Sequence, residues 1–173
     1  YSVLFYRVFT KLSIHPACLI KAYAPSPPFF QESRLPKLDL PTASAWEDDS
    51  SLFGYLERPL YGQPPKWLKN PLLLDNHDME LFPWWKIPDF DNSNGDIKLV
   101  WEQSRMNWAV IFAQRARNGD SYSLSRLNDW ISDWLKKNPP YLGPNWKCGQ
   151  EASIRVINLC SAALILGQEY DAL

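Results

Sequence analysis

Histidine is scarce: only His15 and His77 occur in 173 residues. A histidine general base is therefore one of these two or lies outside the chain. Cysteine is scarce as well. Cys18, Cys148 and Cys160 are odd in number, widely spaced and form no CxxC, which excludes a disulfide framework and predicts free, buried thiols. Neither sign of charge dominates, with 18 basic and 19 acidic residues for a net −1. That balance argues against a nucleic-acid platform built on phosphate contacts, and leaves room for a local basic groove that holds an acidic sugar. Long apolar runs are missing. A run such as Ala162 to Leu166 is far too short to span a bilayer. GxGxxG, Walker and GxSxG motifs are all absent, so nucleotide binding and serine hydrolase chemistry have no support. Residues Tyr1 to Phe9 lack the order of basic leader, apolar run and small-residue cleavage site, so no intact signal peptide is read there; a leader removed before Tyr1 stays open.

Aromatic residues are plentiful: nine Trp, eight Tyr and eight Phe. Two uses compete. They anchor a core and long loops, or they stack on the apolar faces of sugar rings. Composition alone favours the core. With 46 % hydrophobic residues the chain is globular, and its length suits one domain rather than two.

Proline divides the chain: eleven of the fifteen lie between Pro25 and Pro88, and three more follow Asp96 in one turn. Before them, Leu4, Phe5, Val8, Phe9 and Leu12 recur at helical spacing, with His15-Pro16 as the stop and a further turn from Ala17 to Tyr23. Residues 25–95 read as a long irregular arm, rich in Pro and aromatics, that packs across a helical surface and carries a short strand or hairpin near Phe53–Leu60. After Asp96 the pattern is helical. Asp96 caps a helix whose spaced residues are Ile97, Val100, Trp101, Ser104, Trp108, Ile111, Phe112 and Arg115, ending near Asn118-Gly119. Asp120 or Ser121 caps a second, with Leu124, Leu127, Trp130, Ile131, Trp134 and Leu135 on its apolar face and Asn138-Pro139-Pro140 as its stop. A third runs from about Gly149 to Leu166 and is apolar on more than one side, so it wants a partner on each flank. Short connections make these helices antiparallel neighbours. Two units are expected: 1–95, the opening helix and arm, and 96–173, the first helices of a larger array expected to continue beyond Leu173.

Two polar clusters are set aside. The run Asp89 to Asp96 fails as a calcium loop, because placing Gly95 sixth puts Phe90 and Trp101 where oxygen ligands are required; it reads as a turn into a helix cap. Asp75, His77, Asp78 and Glu80 have no second His or Cys nearby and read as a solvated loop. No metal ligand and no cofactor are assigned. In the helices, Lys98, Glu102 and Arg105 stand beside Trp101, and Asn145-Trp146 precede Glu151 and Arg155. One reading is local ion pairs, worth roughly 0.3–0.5 kcal/mol each. The other is a groove at helix ends, with Trp for stacking, Asn for hydrogen bonds and Arg for a carboxylate. Spacing alone favours the pairs.

The run Gly95-Asp96-Ile97-Lys98-Leu99-Val100-Trp101-Glu102-Gln103-Ser104-Arg105 resembles the GDIK-x-VWE-x-x-R stretch of heparinase II/III-like proteins. Asn138-Pro139-Pro140, Gly143, Asn145-Trp146, Glu151 and Arg155 resemble that family's second stretch, in the same order along the chain. The match covers about residues 84–167. It implies a mainly α fold, a partial (α/α) toroid of antiparallel helical hairpins, which in the family precedes β-sheet layers. It also implies β-elimination on a uronic-acid-containing polysaccharide, with an acidic polysaccharide and the rest of its own chain as partners. A bacterial, periplasmic or cell-envelope setting goes with it. Lyases of this kind neutralise the uronate carboxylate, remove the C5 proton and protonate the leaving oxygen. The NNH-like and YH-like stretches tied to those roles do not occur here, and no His follows His77. No catalytic residue is therefore assigned, and this stretch alone is expected to be inactive. The resemblance carries over only framework or cleft-lining residues: Asn145, Trp146, Glu151 and Arg155, then Trp101, Glu102 and Arg105. Glu102 and Arg105 read equally well as buried pairs fixing helix ends. Two rivals remain. One is a non-catalytic carbohydrate-binding toroid. The other is a helical-repeat scaffold, whose period of about 34 residues is not found.

Overall fold

A computed structural model describes residues 2–19, 27–33, 35, 49–54, 56–60, 62–73 and 77–168. The described chain is mainly helical. In order it forms α1 (Ser2–Lys11), β1 (Asp49–Leu52), β2 (Leu56–Pro59), β3 (Phe90–Asp91), β4 (Gly95–Asp96), α2 (Ile97–Trp101), α3 (Asn107–Arg117), α4 (Ser121–Lys137) and α5 (Gly149–Leu166), with short 3₁₀ turns between.

Local chemistry sets the helix ends. Asp120 accepts hydrogen bonds from the backbone N–H of Tyr122 and Ser123, which starts α4. Asn138 closes it, bonding back to the Trp134 carbonyl through both its backbone and its side chain. Gly167 ends α5 in the left-handed region at φ 62°. Ahead of α2, Asp96 caps Lys98 N–H at 2.9 Å. The run Asp89 to Asp96 is thus the expected turn, a short hairpin of β3 and β4 joined through Asn92, Ser93 and Asn94 and leading into a cap. The longer hairpin of β1 and β2 reverses through Phe53 and Gly54, at φ 56° and 77°. It lies slightly earlier than the Phe53–Leu60 expected.

The helix expected from Ile97 to about Asn118 is broken. Glu102–Ser104 tighten into a 3₁₀ turn, and Met106 takes a left-handed conformation at φ 64° before α3 starts. Tertiary bonds explain the break. Gln103 donates to the carbonyls of Lys66 and Lys69, Ser104 accepts from the Trp134 indole, and Asn158 donates to the Arg105 carbonyl. A continuous helix would turn these groups away from their partners, and Met106, 3 % exposed, makes up the strain through burial.

Helix α3 packs against both α4 and α5. Their shared core holds Phe112, Leu127, Trp130 and Leu166, joined by Phe30, Leu60 and Trp67 from earlier in the chain. Trp130 is its hub, with ring centroids of Phe112, Trp108 and Trp67 at 5.1, 5.3 and 6.2 Å. Such edge-on pairs add roughly 0.5–1.5 kcal/mol each beyond burial. A smaller cluster of Met79, Ile87, Ile97, Val100 and Trp101 seats α2. On the outer side of α5, Val156, Ile157, Cys160 and Leu164 face solvent among the described residues. The expected two-sided apolar helix therefore has one flank covered by α3 and one open.

Candidate functional site

The two stretches singled out in the sequence dock on each other. The Trp101 indole donates to the Pro144 carbonyl at 2.8 Å, tying α2 to the 3₁₀ turn Pro144–Trp146. Gly143 enters that turn at φ 81° and ψ −179°, a region open in practice only to glycine, and a Cβ there would lie 2.9 Å from Leu81. Arg105, at the helix break, reaches α5. Its Nε and Nη2 donate to the two oxygens of Glu151, both at 2.9 Å. Its Nη1 bonds Glu102, whose other oxygen accepts from Phe53 N–H at 3.1 Å. One network thus joins the β1–β2 hairpin, the α2 end and the α5 start. The hydrogen bonds to Glu151, outweighing desolvation, raise the Arg105 guanidinium above its ordinary value.

Next to it lies a second network. Asn145 is fully buried and donates to the Trp67 carbonyl and to Asn138 Oδ1. Arg155 donates through Nη2 to the Asn145 carbonyl at 2.7 Å, with its guanidinium 5.1 Å from the Trp134 ring centre and 5.8 Å from that of Trp146. The Trp146 indole donates to the Asn138 carbonyl. Arg155 is 4 % exposed, and its Nη1 has no hydrogen-bond partner. Burial pulls its pKa down to about 10, against the raising effect of Glu151.

The expected pairings are therefore partly rearranged. Glu102 and Arg105 do pair. Glu151 and Arg155 do not, despite their four-residue spacing, because Arg105 takes both Glu151 oxygens while Arg155 turns to a backbone carbonyl and two indoles. Lys98 stays outside, 3.9 Å from Asp96. Glu102, Asn145, Glu151, Arg155 and Trp101 are buried, so they act first as framework. Of the seven candidates, Trp146 and Arg155 also border an apolar cleft of about 330 Å³ between α4 and α5, with Phe30, Met106 and Leu159. The arrangement holds Arg155 as a buried cation behind that cleft, with its Nη1 shielded from solvent.

Sequence reasoning missed Asn138 and Trp134 as members of the site. The Asn138 signal was present, since an Asn before Pro139-Pro140 closes a helix; its second role, toward Asn145, depends on the turn geometry. The thiols are free, but the expectation of burial fails: Cys18 and Cys148 are half-buried and Cys160 is exposed, on the open side of α5. Asp75 lies outside the described residues; His77, Asp78 and Glu80 are exposed. Among the described residues no three His, Cys, Asp or Glu side chains gather as a metal site, and no helix is long and apolar enough to cross a membrane. Comparison with protein-family models, with curated proteins and with solved structures finds no match.

Proposed function

We propose that this chain is the N-terminal helical part of a heparinase II/III-like lyase that cleaves an acidic, uronate-containing polysaccharide by β-elimination. The observation that carries the reading is the docking of the two resembling stretches. Arg105 on one and Glu151 on the other, Trp101 on one and Pro144 on the other, meet in one buried unit. A shared unit gives a physical reason for both stretches to occur together. Neither stretch alone would need the other.

In this reading α3, α4 and α5 begin a toroid, and further helices of the same protein cover the open flank of α5 at Val156, Ile157 and Leu164. The catalytic acid and base come from later in that protein. The residues in hand hold the cleft wall, where the half-buried face of Trp146 offers a surface for a sugar ring. The test is the natural gene product. Its intact mass is expected to be several times the 20.1 kDa of this chain, and it should release unsaturated uronate ends from an acidic polysaccharide. Glycan binding without cleavage by a product of about 20.1 kDa would replace the lyase with a binding module.

A further inference from the structure

A different cleft, of about 540 Å³, lies between α1 and the segment from Trp84 to Asp89. Its lining combines four cations, Arg7, Lys11, Lys86 and Lys147, with a single carboxylate, Asp89. Lys147 is already satisfied, at 2.6 Å from Asp89 and bonded to the Ile87 carbonyl. Arg7, Lys11 and Lys86 are exposed and form no ion pair among the described residues. Positive charge is therefore left over in the cleft, although the whole chain carries net −1. No acidic residue occurs before Glu32 to offset it from α1 itself.

The same cleft holds Tyr6, Trp84 and Trp85. The two indoles stand perpendicular, with centroids 5.6 Å apart, and both are half-buried. Trp85 is pinned by its indole N–H to the Ser13 hydroxyl at 3.0 Å, so its ring is held rather than free to collapse onto the wall. Fixed aromatic faces among unpaired cations suit a ligand that has both apolar ring faces and repeated negative charge. We infer that this cleft binds an acidic oligosaccharide, stacking a sugar ring on Trp84 or Trp85 while Arg7, Lys11 and Lys86 take its carboxylates or sulfates. The choice of ligand rests on the polysaccharide reading above; the cleft is separate from the Arg155 cleft. A single-stranded nucleic acid offers similar chemistry, but a chain of net charge −1 suits it less than the short acidic sugar.

The test is titration calorimetry of the natural gene product with an oligogalacturonate, a neutral cello-oligosaccharide of equal length and a single-stranded oligonucleotide. The acidic sugar should bind best, and added salt should weaken it. An Arg7→Ala/Lys11→Ala double variant should bind it about tenfold more weakly or worse, the effect of losing one or two charge-assisted hydrogen bonds. Lys86→Ala, on a separate segment, should act in the same direction. All three side chains are exposed, so circular dichroism should match wild type. Unchanged affinity in both variants, equal binding of the neutral sugar, or tighter binding of the oligonucleotide would overturn the inference. The two readings fail separately. Uronate release with unchanged affinity in the variants sinks the cleft alone. Charge-dependent binding without uronate release sinks the lyase alone.

Discussion

Arg105 and Glu151 stand 46 residues apart and meet through two parallel N–H···O bonds of 2.9 Å. Glu151 is 4 % exposed and forms no other salt bridge among the described residues, Arg155 acting on it only through space, whereas Arg105 also holds Glu102. The pair is a cross-link between the helix break and the start of α5.

Neutralising one side of this cross-link should be costly. Glu151→Gln is expected to lower unfolding stability by about 2–3 kcal/mol, because the half-buried Arg105 keeps only Glu102 as counter-charge. Glu102→Gln should cost less, since the two-point pair to Glu151 survives. Urea unfolding of both variants checks the order, and equal small losses would show that the pair is mere surface decoration.

Asn145 tests framework against groove. Its fully buried side chain donates to the Trp67 carbonyl and to Asn138 Oδ1. Asn145→Ala strips both acceptors of their donor and should destabilise by about 2–4 kcal/mol. A variant that keeps wild-type melting but loses substrate affinity would instead place Asn145 in the cleft lining.

Arg155 offers a pH signature. Its folded pKa, about 10, lies below the ordinary arginine value. The burial cost is thus fully present below about pH 10, where folded and unfolded states are both charged, and is relieved as pH rises above that value. Arg155→Lys moves this window down, because lysine starts from about 10.4 and burial lowers it. The variant should be less stable than wild type at neutral pH, with the gap narrowing as pH rises through the lowered lysine pKa. Chemical unfolding between neutral and mildly alkaline pH measures this; a gap that widens with pH would contradict it.

Much of this fold is legible in the sequence, and the illegible parts share one cause. Helices α4 and α5 announce their ends through Asp120, through Asn138 before two prolines, and through Gly167, all of which act within one or two turns. The break at Met106 has no such local marker. It exists because Gln103, Ser104 and the Arg105 carbonyl find partners at Lys66, Trp134 and Asn158, none of them near in sequence. The site divides the same way. That Glu102, Arg105, Glu151 and Arg155 are candidates for ion pairs is visible from type and spacing. That Glu151 takes Arg105 rather than Arg155 is decided by helix packing. The basic cleft at Arg7 and Lys86 escapes sequence reading altogether, since its residues lie some eighty positions apart and share no motif.

Lyase chemistry is the central claim, and turnover tests it most directly. The natural gene product would be incubated with a panel of uronate polysaccharides, sulfated and unsulfated, and the ultraviolet absorbance of the unsaturated product followed, with residues 1–173 assayed in parallel. The account predicts unsaturated product from the natural gene product on at least one acidic polymer and none from residues 1–173. Turnover by residues 1–173 alone, or none by the gene product on any uronate polymer, would contradict it.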